Sequence, residues 1–193
     1  MTKIKICGLM TLDDIKAVNE AKPDLAGFIF APGRHQINLE QALKMRKELD
    51  SSIKSVGVFV NASLDEMLKV INSGAVSMIQ LHGNETPDTI KLLQDKNIPV
   101  IKVYKPDNLP TSTTADYLMI DSGSGNGKPI QWDKLRIKTD KPLIIAGALD
   151  TLNIEQAIKT TEPDFVDLSR GVETDGSKDP IKINKIVQLV HQL

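Results

Sequence analysis

The chain has 193 residues, with 24 Lys and Arg against 25 Asp and Glu, a formal net charge of -1. At ~150 residues per domain this is the length of one domain or two small ones, and the balanced charge gives no global reason to bind nucleic acid or an anionic membrane. A single cysteine, Cys7, excludes an internal disulfide and a cysteine-cluster metal site.

Short apolar runs recur along the chain. They predict strands over Lys3–Ile6, Leu25–Phe30, Ser55–Val60, Val76–Leu81, Val100–Tyr104, Tyr117–Ile120, Leu143–Ala146 and Asp164–Leu168. Amphipathic stretches separate most of them, and their starts are marked. Thr11, Asn38 and Ser63 each stand three places before an acid or amide, the pattern of a capping box. Thr86-Pro87 and Asp179-Pro180 put proline at a first helical position. Asp150 or Thr151 is expected to cap a helix over Leu152–Thr160. Two connections are poor helix candidates: the polar Asp107–Ala115 and the short Gln131–Ile137. The segment Ser122–Lys128, with three glycines, reads as a loop.

Eight strands alternating with helices indicate a parallel sheet. An open doubly wound sheet and a closed barrel both satisfy that pattern, and eight repeats favour the barrel. The expectation is an α/β fold: residues 1–193 as a single, minimal (β/α)8 TIM barrel, with a degenerate fifth helix and a stunted sixth. No apolar run reaches the ~20 residues of a membrane helix or forms a secretory signal. A cytoplasmic protein is expected, with no membrane or nucleic-acid partner.

A barrel places its chemistry just after the strands. Cys7, Arg34, Asn61, His82, Lys105, Asp121, Gly147 and Ser169-Arg170-Gly171 all fall at predicted strand ends. Taken singly, each has a plain structural explanation. A lone cysteine on an apolar strand is usually a core thiol, and an Asp after a strand is often a turn or cap. His82 caps or lines a pocket, His35 and His191 read as surface residues, and Trp132 as packing. Lys128 either reaches a phosphate or faces water.

In order and spacing, Lys-Ile-Cys-Gly, Gly-Phe-Ile-Phe-Ala-Pro-Gly-Arg, Val-Gly-Val-Phe-Val-Asn, Gln-Leu-His-Gly-Asn-Glu, Ile-Asp with the later Gly-Asn-Gly-Lys-Pro-Ile-Gln-Trp, and Asp-Leu-Ser-Arg-Gly-Val-Glu resemble the phosphoribosylanthranilate isomerase family of tryptophan biosynthesis. The resemblance covers nearly the whole chain. It implies a cofactor-free, metal-free Amadori rearrangement of a phosphorylated aminoaldose to an aminoketose, in a monomer or homodimer. It also implies that Cys7 is the general base, Asp121 the general acid, and Arg34 the contact to the anthranilate part. His82 joins the substrate pocket, and Gly147, Ala148, Ser169, Arg170 and Gly171 form the phosphate loops. Three departures stand out: Ala148 where the family has a second glycine, Arg170 where it has a serine, and Ile130-Gln131-Trp132 where it has Phe-Asp-Trp.

The chemistry asks for a protonated Asp121 and a thiolate at Cys7, whose pKa is then expected below the ordinary thiol value of about 8.5. Lys5 and Cys7 are two apart on one strand and so share a face. In a closed barrel the last strand borders the first, which puts Lys5 between Cys7 and Asp167. There it either favours the thiolate or only neutralises Asp167. The same phosphate loops also suit another phosphosugar isomerase or lyase, or a non-catalytic binder of phosphorylated metabolites.

Overall fold

A computed structural model describes residues 1–121, 131–134, 137 and 139–193. Eight parallel strands close into a barrel in sequence order: β1 (Lys3–Cys7), β2 (Leu25–Ile29), β3 (Lys54–Phe59), β4 (Met78–Leu81), β5 (Val100–Tyr104), β6 (Tyr117–Ile120), β7 (Leu143–Ile145) and β8 (Phe165–Leu168). Closure is made by β1, which pairs with β2 on one side and β8 on the other, Lys5 standing opposite both Leu25 and Asp167. The expected strands are all present. The fourth starts two residues late, because Val76 and Ser77 precede its ladder.

Alternation along the strands sorts the core into two layers. Leu25, Val56, Met78, Ile101, Met119, Ile144 and Phe165 fill the barrel interior. Ile4, Ile6, Ala26, Phe28, Ile79, Leu81 and Val166 face outward under the helices. Six α-helices cover that outer face among the described residues: α1 (Leu12–Ala21), α2 (Leu39–Glu48), α3 (Leu64–Asn72), α4 (Pro87–Gln94), α5 (Ile154–Thr161) and α6 (Pro180–Gln192). None is long and apolar enough to cross a membrane.

The starts of the first three helices are the capping boxes read from the sequence. Thr11, Asn38 and Ser63 accept N–H bonds from Asp14, Gln41 and Glu66, whose side chains reach back to the cap backbone. Thr86 accepts from the N–H of Thr89, and Asp179 from those of Ile181 and Lys182. The α5 start differs from expectation. Asp150 accepts the N–H groups of Leu152 and Asn153 within a tight turn, so the helix begins only at Ile154. Neither Asp150 nor Thr151 occupies the cap position, which Asn153 takes.

The fifth connection, 105–116, carries no helix, and among its described residues the sixth holds a 3-10 turn at Trp132–Lys134. Trp132 is buried in the outer core as the packing residue expected of it. The glycine-rich loop 122–128, with Lys128, and Ile130 lie outside the described residues. After β8 the chain forms a short 3-10 turn (Arg170–Val172) and a small hairpin, β9 (Glu173–Thr174) with β10 (Ser177–Lys178).

Candidate active site

The carboxyl ends of the strands gather the polar residues at one rim. Cys7 is the last residue of β1 and is 5% exposed. It is opposite Gly27 of β2, and a Cβ there would lie 2.6 Å from the Cys7 sulfur. Glycine at position 27 is therefore what leaves room for the thiol beside the neighbouring strand.

Two residues earlier, Lys5 has no exposed surface, and its Nζ lies 2.8 Å from Asp167 Oδ1. The ammonium is thus inside the barrel, as the strand period predicts, and its charge acts on Cys7. Burial alone would drive Lys5 towards its neutral form, but Asp167 and Cys7 outweigh it and raise its pKa. The expectation of a lowered Cys7 pKa is not met in the free protein. Burial pushes the thiol up and Asp167 adds to this, while Lys5 and Lys178 pull the other way without cancelling it.

Asp121 follows β6, three strands from β1 around the closed barrel, and its N–H donates to Tyr104 O. His82, following β4, places Nε2 3.3 Å from Asp121 Oδ2. Behind it, Gln80 Nε2 lies 3.4 Å from His82 Nδ1. His82 and Asp121 line a cavity of about 570 Å³ with Asn61, Asn84, Tyr104 and Lys105. Its wall is tied by Glu85, which accepts from the N–H groups of Asn61 and Gly83 and from Lys102 Nζ at 2.9 Å.

Arg34 is exposed, and its guanidinium is bonded to Glu173 of β9, with Gly176 O at 3.5 Å. His35 is not a free surface residue. Its Nε2 lies 2.8 Å from Glu173 Oε1, and its side chain packs close to Gly8. Burial, and then the nearby Lys178, lower its pKa, so the imidazole is neutral at neutral pH. Lys178 donates to Glu173 Oε1 at 2.8 Å and to Ser169 O at 2.9 Å. His191, on α6, is half-buried and pairs with Asp24 at 3.1 Å.

The loops after β7 and β8 are brought together. A Cβ on Gly171 would fall 1.9 Å from Leu149 O, so only glycine permits this approach. Gly147 and Ala148 both have positive φ, 108° and 52°. The family's glycine at 148 is thus replaced by alanine in a left-handed conformation, a strained choice. Arg170 and Gly171 border a second cavity of about 480 Å³ with Asp150, Leu152, Lys182 and Lys185.

Sequence reasoning missed Gly27, Glu85, Lys102, Glu173 and Lys178. Lysine inside the apolar run Val-Ile-Lys-Val-Tyr was an available signal for Lys102, since a buried lysine calls for a carboxylate.

The family model described as N-(5'-phosphoribosyl)anthranilate (PRA) isomerase matches residues 4–189. The chain belongs to that family. It is an isomerase of tryptophan biosynthesis. A relative named N-(5'-phosphoribosyl)anthranilate isomerase, from Lacticaseibacillus casei, is 47% identical over 188 residues, covering 97% of this chain and 94% of the relative. The solved phosphoribosyl anthranilate isomerase of Thermus thermophilus superposes with a TM-score of 0.87 at 28% identity, covering 99% of each chain. Another solved isomerase of the family, in complex with reduced 1-(o-carboxyphenylamino)-1-deoxyribulose 5-phosphate, gives a TM-score of 0.81 at 26% identity over 100% of both chains. Family membership thus rests on whole-chain likeness in sequence and in fold.

Proposed function

We propose that the chain converts N-(5'-phosphoribosyl)anthranilate to 1-(2-carboxyphenylamino)-1-deoxyribulose 5-phosphate by general acid–base catalysis, with Asp121 as acid and Cys7 as base. The observation that carries this reading is their placement: Cys7 ends β1 and Asp121 directly follows β6, at the rim where the loops after β7 and β8 also lie.

Asp121 gives its proton to the furanose ring oxygen. The bond from that oxygen to C1' breaks, and the nitrogen lone pair forms an iminium. The Cys7 thiolate takes the C2' proton. The C–H electron pair becomes the C1'=C2' bond, and the iminium pair returns to nitrogen, giving an enolamine. Loss of the 2'-hydroxyl proton and gain of a proton at C1' yield the aminoketone. Protons balance at every step, and the rearrangement calls on no cofactor.

Arg34 meets the anthranilate carboxylate. A guanidinium has five N–H donors, so its bond to Glu173 leaves donors for substrate. The Gly147-Ala148 turn and the Ser169-Arg170-Gly171 loop take the phosphate, where backbone N–H groups in positive-φ turns suit an anion. His82 lines the pocket beside the acid. The enzyme works in the cytoplasm, as a monomer or homodimer.

The test is turnover of purified Cys7→Ala and Asp121→Ala with phosphoribosylanthranilate. Each variant should melt like the parent and lose nearly all kcat. Substantial turnover in either one removes the corresponding role. Arg34→Met should raise KM by about tenfold, the loss of a charge-assisted hydrogen bond, with a smaller effect on kcat.

A further inference from the structure

The buried ion pair inside the barrel has no part in the steps above. Lys5 is fully enclosed, and the interior layer that it joins is otherwise built from side chains such as Leu25, Val56, Met78 and Phe165. A buried ion pair can often be exchanged for apolar side chains of similar volume with no loss of stability. Stability is therefore a weak reason for a lysine here, and its position supplies a stronger one. Lys5 shares the interior face with Cys7, two residues away, and is anchored by Asp167 at 2.8 Å. An ammonium carries three N–H donors. Asp167 takes one, which leaves two for the side of the barrel that Cys7 shares.

We propose that Lys5 is a positioning residue for proton abstraction: its ammonium, fixed in the barrel by Asp167, holds Cys7 as the thiolate that takes the substrate's C2' proton. This rests on the reading of Cys7 as the base.

Three charged groups face the thiol: Lys5 from its own strand, Asp167 from β8 and Lys178 from the β9–β10 hairpin. Burial opposes ionisation and Asp167 reinforces it, so the thiolate depends on the two lysines. Lys5 is the stronger of them. Asp167 has two effects. Its charge opposes the thiolate directly, but it also keeps Lys5 cationic in a place where burial would neutralise it. Lys5 gives up no proton in the step. The S–H bond forms as the C2'–H bond breaks, and the thiol that results leaves Lys5 still paired with Asp167. No isolated charge is created in the interior at any stage.

The chain's single cysteine makes the test clean, because every alkylation reports on Cys7. The pH dependence of iodoacetamide modification and of kcat is measured on the full-length protein. Lys5→Met should move the alkylation midpoint up by about one unit, an about tenfold lower rate at neutral pH. Its kcat should fall in parallel and recover towards alkaline pH, while KM stays within about twofold. Asp167→Asn, which removes the opposing charge and leaves the thiolate itself as the anion that keeps Lys5 cationic, should move the midpoint down. A pair with a purely structural role would disturb the thiol in the same direction in both variants. Where Lys5→Met does not fold, Lys5→Met/Asp167→Asn leaves no charge unpaired and should still shift the midpoint up, since Lys5 acts on the thiol more strongly than Asp167. An unchanged midpoint without Lys5, or an upward shift in Asp167→Asn, overturns the proposal. A shifted midpoint with an unshifted kcat profile, or turnover by Cys7→Ala, overturns the base assignment instead.

Discussion

Gly27→Ala tests whether the second strand fixes the reacting thiol. The new Cβ would meet the Cys7 sulfur at 2.6 Å, its Cα at 3.0 Å and its Cβ at 3.1 Å, where ordinary contact begins at 3.4 Å. The sulfur therefore has to move by roughly 0.8 Å if van der Waals contact is to be restored. The strands cannot simply part, because Gly8 and Leu9 N–H both donate to Gly27 O, at 3.0 and 3.2 Å. Rotating the thiol relieves the sulfur contact, and the Cα and Cβ contacts further require the two strands to give by a few tenths of an ångström. Overpacking of this kind costs about 1–3 kcal/mol. At about 2–4 °C per kcal/mol for a chain of this size, Tm should fall by about 2–12 °C. A displacement of about 1 Å in a reacting group costs roughly 100-fold in rate, so kcat should fall about 100-fold while KM, set by contacts in other loops, changes little. Steady-state kinetics and thermal melting read both effects. A variant with parental kcat and Tm would show that the thiol is not confined by β2, and the packing argument would fail.

Two further substitutions probe the rim. Glu85→Gln leaves the Lys102 ammonium, whose side chain is 7% exposed, without its carboxylate, a loss of about 3 kcal/mol that urea denaturation should show. Burial alone would raise the Glu85 pKa, but Lys102 and the Asn61 N–H override it and hold it below the ordinary value. The unfolded chain therefore binds this proton first, so the stabilisation is complete above about pH 4.3, the ordinary glutamate value, and is lost as pH falls through the depressed folded value. Glu85→Gln should flatten the acid limb of the pH–stability curve, and an unchanged limb would refute that account. Ala148→Gly should relieve the left-handed backbone at φ 52° and raise stability by about 0.5–1 kcal/mol. A lower melting temperature would count against strain at that turn.

The barrel was legible because its signals are local. An apolar run of four to six residues and a capping residue ahead of each of the first four helices are both written within a few positions of the element they define. The α5 start was misread because two adjacent residues competed for the cap, and the turn from Gly147 to Asp150 decided where the helix could begin. At the site, strand period two placed Cys7, Lys5 and Asp167 on interior positions, and the closure of β1 on β8 put the last two side by side. The sign of the Cys7 shift was not legible. It depends on how much burial the closed barrel imposes, and on Lys178, which stands 171 positions further along the chain.

The partner of Arg34 shows why such contacts escape a sequence. Glu173 lies 139 residues away and reaches Arg34 only because the hairpin after β8 folds over the first loops of the barrel. There Arg34 and Lys178 share one carboxylate, and the His35 imidazole beside them is neutral. The Glu173 carboxyl is held below the usual range: burial would raise its pKa, but Lys178, His35 and Arg34 together more than offset this. Within this cluster of direct contacts two positive charges meet one negative, a local excess of one positive charge. A substrate carrying both a carboxylate and a phosphate gains from such an excess, and it gains most where the cations are already fixed by Glu173 and need no ordering on binding. Glu173 thus reduces the charge of the site while organising it, and the second effect is the one that favours a bound anion.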